Sequence, residues 1–329
     1  MRIVIPDGHP TNPGDLSWDR FLEFGEVDVY DRTPPELVAE RIREADFVLV
    51  NKCRIGEREL REAKDLKLIC VLATGYDVVD IDAASEYGIP VCNIPAYSTE
   101  SVAQMTMALL LEICQNVGLH SEAVHQGKWT ECPDFCFWEK PLIELNGLTM
   151  GIFGCGRIGS AVARIAKSFG MRVLGYSRSP REGFPGERAA DLETLLEQAD
   201  VLSLHSPATA ETVRTIRKET IARMKDGAIL LNTARGSLVD EKDVAEALQS
   251  GKIYAYGADA VSPEPIRADS PLLTAPNCYI TPHIAWAPAA SRARLMDIAY
   301  ENLRAFLDGS PMNVVNADRL KNRGKGRME

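Results

Sequence analysis

The sequence predicts an α/β protein made of two consecutive doubly wound, parallel-sheet domains with a cleft between them. Three observations carry that expectation. A length of 329 residues fits two ordinary domains better than one. Short apolar runs alternate with helical patterns along nearly the whole chain, as in crossover units whose sheets are covered on both faces. A glycine-rich turn sits between a strand pattern and a helix pattern near the middle of the chain. The composition, 45% hydrophobic and 26% charged, supplies apolar matter for substantial cores.

Taken in order, residues 2–5, 27–30, 47–50, 68–72 and 90–93 read as strands, being short and largely apolar. Between them, 35–44 and 57–63 carry helical spacing and helix-forming residues. From Ser101 a helix runs through Met105, Leu109 and Ile113. It is apolar nearly all round and is expected to lie buried between the domains. An irregular, aromatic-rich stretch follows over 129–140, and a second alternating series begins at Leu148. Its strands are expected at 149–153, 172–176, 201–205, 228–232, 253–258 and 279–280, with a last helix over about 288–307. The basic end, from Arg319 to Arg327, is expected to fray in solvent rather than serve as a nucleic-acid tail.

Charge and cysteine usage narrow the class. Lys plus Arg is 37 against 47 for Asp plus Glu, a net charge of −10, which argues against a nucleic-acid partner. No uninterrupted apolar span reaches membrane length, and the apolar run from Ile3 to Ile5 is too short for a signal peptide. A cytoplasmic location with no membrane partner is the expectation. Eight cysteines are scattered from Cys53 to Cys278, and only Cys132 and Cys136 are close together. Without a C-x-x-C pair or a histidine cluster they read as reduced thiols, and no metal site is expected.

The central turn is G-x-G-x-x-G at Gly154, Gly156 and Gly159, after a strand and opening a helix over 158–169. Gly154 permits the tight turn, Gly156 lets backbone approach a pyrophosphate, and Gly159 lets helix and strand pack closely. The helix start offers free N–H groups and a positive dipole end. With this strand–loop–helix–strand context the unit reads as a Rossmann-like dinucleotide domain. The second strand ends without the usual carboxylate, in Ser177, Arg178, Ser179, Pro180 and Arg181. Hydroxyls and guanidinium groups there favour a 2′-phosphate, so NADP is the expected cofactor, with NAD possible. The expected cofactor contacts are Gly154, Gly156, Arg157, Ile158, Gly159, Ser177, Arg178, Ser179, His205, Ser206, Pro207, Thr212, Thr233, Ala234 and Asp259.

Only five histidines are present. His9 lies in a Pro/Gly-rich loop, His120 and His125 near the end of the long helix are expected at the surface, and His205 ends a strand on the cofactor edge. His283 directly follows a strand, as Arg235 in Asn232-Thr233-Ala234-Arg235-Gly236 and Glu264 beyond Asp259 follow two others. All three belong to the unit with the Gly loop, so their side chains can converge. A histidine can hold and deliver a proton near neutral pH when a carboxylate steadies its charged form, and an arginine fork can grip a carboxylate.

Arg235, Glu264 and His283, in this order and setting, resemble the catalytic set of the D-isomer-specific 2-hydroxyacid dehydrogenases, and the resemblance covers nearly the whole chain. It implies a discontinuous outer, substrate domain of residues 1–99 plus 287–329 and a dinucleotide domain of 100–286. It also implies that Thr74, Gly75 and Tyr76 cradle the substrate carboxylate with backbone N–H groups. Three stretches, 97–104, 133–138 and 283–286, look like the glycerate dehydrogenase (hydroxypyruvate reductase) subgroup. Arg235 and His283 are expected substrate contacts, and Trp286, three residues past the histidine, is expected either to wall off a small substrate pocket or to pack under the last helix. Glu264 argues against the formate dehydrogenase branch, which carries Gln there, and the length leaves no room for the regulatory domain of longer phosphoglycerate dehydrogenases. The implied activity is hydride transfer between NADP(H) and hydroxypyruvate/D-glycerate or glyoxylate/glycolate. A dehydrogenase for a bulkier 2-keto acid, or a dinucleotide-sensing corepressor-like binding protein, remains the alternative. A homodimer built around residues 101–146 is expected, because the apolar helix and Phe135, Phe137 and Trp138 exceed what a monomer's surface carries.

Overall fold

The computed structural model describes residues 1–179 and 182–320, so Arg181 and most of the basic end lie outside the described residues. The chain divides into two compact units, one of Met1–Ser98 together with the chain from Ala287 onward, the other of Thr99–Trp286.

The first unit opens with β1 (Arg2–Ile5), β2 (Glu26–Val29), α1 (Val38–Ile42), β3 (Phe47–Val50), α2 (Glu57–Glu62), β4 (Leu68–Val71), α3 (Ile81–Glu86) and β5 (Val91–Cys92). The strands form one sheet in the order β2-β1-β3-β4-β5, and every pairing is parallel. β3 and β4 are buried along their whole length, so continuous apolar runs suit them, whereas β2 is an edge strand with mixed exposure. α3 was not legible as a separate element. Asp80 starts it by accepting a hydrogen bond from the Ala83 N–H at 3.0 Å.

The second unit begins with α4 (Thr99–Gln115) and α5 (Val117–His125), where the sequence suggested one helix. Asn116 separates them in a left-handed conformation, φ 48°, which asparagine tolerates better than most residues. α4 is not apolar all round. Gln104 and Ala108 face solvent while Leu109, Leu110 and Ile113 are buried in the core of its own unit. The series continues through β6 (Thr149–Phe153), α6 (Arg157–Ser168), β7 (Arg172–Tyr176), β8 (Glu187–Arg188), α7 (Leu192–Gln198), β9 (Val201–Leu204), α8 (Lys218–Arg223), β10 (Ala228–Asn232), α9 (Glu241–Ser250), β11 (Ile253–Ala258) and β12 (Cys278–Ile280). The sheet order is β12-β11-β10-β9-β6-β7-β8, all parallel. β8, two exposed polar residues, carries no apolar pattern and was missed. The last helix, α10 (Ala289–Leu307), rejoins the first unit, where Asn302 donates to the Asn93 carbonyl at 3.0 Å and Arg294 to the Tyr97 carbonyl at 3.0 Å. No single helix among the described residues is long and apolar enough to cross a membrane.

The register of the second sheet fixes where its loops begin. Phe153 pairs with both Tyr176 and Leu204, and Asn232 pairs with Leu204 and Ala258, which in turn pairs with Ile280. Gly154, Ser177, His205, Thr233, Asp259 and Thr281 therefore leave the sheet at one level, on its carboxyl edge. Strand order reverses at β6, the point where open parallel sheets bind ligands.

Candidate active site

The Gly loop has the geometry of a phosphate cradle. Gly154 adopts φ +106°, and a Cβ there would lie 2.5 Å from the His205 carbonyl carbon. A Cβ on Gly159 would lie 2.2 Å from the Gly154 oxygen, so only glycine lets α6 pass so close to β6. Above Gly156, by contrast, a Cβ meets nothing within 4 Å, which leaves open space beside the backbone. Among the described residues no side chain caps the start of α6. Its first N–H groups are thus available to an anion, and the loop fits a dinucleotide pyrophosphate.

On the adenosine side, the Ser177 hydroxyl turns back to the Ser179 carbonyl at 2.8 Å, and Arg178 lies 3.5 Å from the Glu211 carboxylate. Thr212 closes its own loop, donating to the Pro207 carbonyl at 2.6 Å and accepting from the Thr209 N–H at 2.7 Å. Nε2 of His205 meets the Ser203 hydroxyl at 2.8 Å, while Nδ1 is sealed from solvent with no hydrogen-bond partner among the described residues. Burial pushes this imidazole down to about 3, so it is neutral across the working pH range.

Farther along the sheet, three loops converge. After β10, the fully buried Asn232 ties down the Arg235 loop. Its amide oxygen accepts from the Ala234 N–H at 3.1 Å and its nitrogen donates to the Arg235 carbonyl at 2.9 Å. Thr233 joins its hydroxyl to that of Thr106 on α4, 2.8 Å away in the core. Arg235 itself is exposed, with a guanidinium N–H on the Ala234 carbonyl at 2.8 Å. A Cβ on Gly236 would sit 2.0 Å from the Val261 carbonyl carbon, so this glycine lets the Arg235 loop run directly against the loop that carries Glu264.

Glu264 reaches His283, with Oε2 2.7 Å from Nδ1. An ionised carboxylate only accepts, so Nδ1 carries the proton of this bond and Nε2 is the nitrogen left for chemistry. Both side chains are about one-third exposed, at 32% and 35%, close enough to solvent to meet a ligand. His283 has φ 56°, an unfavourable conformation for a non-glycine residue. Asp259, only 2% exposed, holds it there. Its carboxylate accepts from the Thr281 hydroxyl at 2.5 Å, the Ile284 N–H at 2.9 Å and the Ala285 N–H at 2.8 Å, gripping the loop on both sides of His283.

Thus Arg235, Glu264 and His283 stand on adjacent loops of one unit. Trp286, half-buried, is the last residue of that unit. Thr74, Gly75 and Tyr76 belong to the first unit, beyond β4, where the Thr74 hydroxyl donates to the Ile94 carbonyl and Asn93 donates to the Thr74 carbonyl, both at 2.8 Å. No group of three or more potential metal ligands occurs among the described residues.

Residues 107–285 match the D-isomer specific 2-hydroxyacid dehydrogenase NAD binding domain. The chain belongs to the D-isomer specific 2-hydroxyacid dehydrogenase family. It is 52% identical to a hydroxypyruvate reductase of Blautia hydrogenotrophica, over 96% of this chain and 100% of that protein. It is 39% identical to a glycerate dehydrogenase of Methylorubrum extorquens, over 86% and 89% of the two chains. Among solved structures, the NADPH-dependent glyoxylate/hydroxypyruvate reductase of Sinorhizobium meliloti superposes with a TM-score of 0.83 at 30% identity, covering 95% of this chain and 97% of that one.

Within this 2-hydroxyacid dehydrogenase, three supporting residues escaped sequence reading. Asn232 and Thr106 act through buried hydrogen bonds that no local motif announces, and Glu211 meets Arg178 only because the loops after β7 and β9 flank the Gly loop. Asp259 was expected beside the cofactor. Its carboxylate is turned into the His283 loop.

Proposed function

We propose that this chain is an NADPH-preferring reductase of small 2-keto acids, hydroxypyruvate and glyoxylate foremost, yielding D-glycerate or glycolate. The observation that carries the reading is the 2.7 Å contact between His283 and Glu264 on the carboxyl edge of the dinucleotide-type sheet. When bound, the dinucleotide supplies hydride to C2 of the keto acid. His283 delivers the proton from Nε2 to the carbonyl oxygen, while its Nδ1–H stays on Glu264 and keeps the ring oriented. Arg235 binds the substrate carboxylate and polarises the carbonyl. The first unit is the proposed substrate domain, with Thr74, Gly75 and Tyr76 offering backbone N–H groups to that carboxylate and Trp286 limiting substrate size.

Two features support NADPH over NADH: the missing carboxylate at the end of β7, and Arg178 standing in its place. The relatives named hydroxypyruvate reductase and glycerate dehydrogenase support the substrate class. A homodimer through residues 101–146 is part of the same proposal. Phe135 is 89% exposed and Trp138 66%, on a stretch where Trp129 also donates to the Phe135 carbonyl at 3.0 Å.

A reduction assay over hydroxypyruvate, glyoxylate, pyruvate and bulkier 2-keto acids, each with NADPH and NADH, tests the reading. Hydroxypyruvate or glyoxylate with NADPH should give the highest kcat/KM. A preference for bulkier acids contradicts the substrate assignment, a preference for NADH contradicts the cofactor assignment, and cofactor binding without turnover marks a sensing protein instead.

A further inference from the structure

The sequence leaves the 2′-phosphate side of the cofactor site without an acidic residue, but the fold brings one back from elsewhere. β6 lies between β7 and β9, so the loops that follow β7 and β9 stand on either side of the Gly loop. Arg178 on the first and Glu211 on the second form an ion pair at 3.5 Å that spans this position. The Thr209 hydroxyl donates to the same Glu211 oxygen at 2.6 Å and fixes the carboxylate in place. Both side chains are open to solvent, 74% and 64% exposed, so the pair can be separated at small cost.

We propose that Glu211 sets the balance between the two cofactors by competing with the 2′-phosphate for Arg178. The inference rests on the reading of Arg178 as the phosphate ligand. When NADPH binds, Arg178 must leave Glu211, and the carboxylate, still held by Thr209, faces a doubly charged phosphate of its own sign. When NADH binds, the pair stays intact and a carboxylate remains near the ribose hydroxyls, replacing the acceptor that β7 lacks. Glu211 therefore weakens NADPH, spares NADH and makes a dual-cofactor enzyme out of a phosphate-binding loop.

The test is Kd for NADPH and NADH by fluorescence titration without substrate, together with KM and kcat at saturating hydroxypyruvate, in the wild type, Glu211→Gln, Glu211→Asp and Arg178→Ala. Glu211→Gln removes the charge and should lower KM for NADPH by about two- to fivefold, the range an exposed ion pair commands. KM for NADH should hold or rise. Glu211→Asp keeps the charge and should keep the wild-type ratio. A Glu211→Gln variant that shifts both cofactors equally, or neither, overturns the proposal, as does an Asp variant that behaves like Gln. Arg178→Ala separates the two layers of the argument. If it weakens NADPH alone while Glu211→Gln leaves the ratio unchanged, the competition is refuted and the phosphate reading stands. If it weakens both cofactors equally, the phosphate reading falls and the competition with it.

Discussion

Replacing Asp259 with Asn is the sharpest probe of how His283, the proposed acid, is held. The side chain keeps its shape but loses its charge and one acceptor. In the native loop one carboxylate oxygen takes the Thr281 hydroxyl and the Ile284 N–H, and the other takes the Ala285 N–H. An amide retains the first set and points N–H groups at the Ala285 N–H, a donor facing a donor in a buried position. Leaving such a group unsatisfied costs about 1–3 kcal/mol, and weakening the remaining charge-assisted bonds adds about 1 kcal/mol. The total, about 2–4 kcal/mol, is comparable to the roughly 1–3 kcal/mol needed to keep a non-glycine residue such as His283 in a sparsely populated conformation. His283 should therefore relax away from φ 56° and lose its 2.7 Å contact with Glu264. Steady-state reduction of hydroxypyruvate should show kcat lower by about one and a half to three orders of magnitude, since each 1.4 kcal/mol is tenfold. Scanning calorimetry should show the unfolding midpoint down by about 5–10 °C. A variant with wild-type kcat and midpoint refutes the idea that Asp259 positions the acid.

Other outcomes follow from the same geometry. His205 is held neutral, its folded value near 3 lying below the ordinary 6.5, so between these limits the unfolded chain binds a proton that the folded one does not. Its contribution is intact above about pH 6.5 and lost as pH falls toward 3, so His205→Asn should flatten the acid limb of a plot of thermal midpoint against pH. An unchanged limb shows that the ring is solvated. Phe135→Ser combined with Trp138→Ser should convert a dimer into monomers in sedimentation at micromolar concentration, and a wild-type protein that already sediments as a monomer removes the dimer proposal. Gly159→Ala places a methyl group 2.2 Å from the Gly154 oxygen and should raise KM for both cofactors alike. Normal cofactor binding in that variant speaks against the Gly loop as the phosphate cradle.

The two sheets were legible because their inner strands are short continuous apolar runs, the mark of strands covered on both faces, as at Phe47–Val50 and Ala228–Asn232. The Gly loop was legible for a different reason. Gly154 and Gly159 answer backbone contacts that any other residue would violate, so the pattern survives in the sequence as spacing. Elements without an apolar signature were not readable. The bend at Asn116 depends on one left-handed residue, and β8 is a pair of exposed polar residues at a sheet edge. In the site, His283 and Glu264 announced themselves by following strands. Their supports did not, because Asp259, Asn232 and Glu211 act across loops that meet only once the strand order is known. The same limit holds for the Asp259 carboxylate, whose position after β11 is visible in sequence but whose bonds to the His283 loop are not.

In the proposed reaction His283, oriented by Glu264, delivers the proton in 2-keto acid reduction. Its most direct test is kcat for hydroxypyruvate reduction by His283→Asn, with cofactor binding followed by fluorescence titration on the same preparation. Cofactor affinity should remain within about twofold while kcat falls by about two to four orders of magnitude, the range of acid–base catalysis. A folded variant that binds cofactor normally and turns over at near wild-type rate rules out His283 as the proton donor.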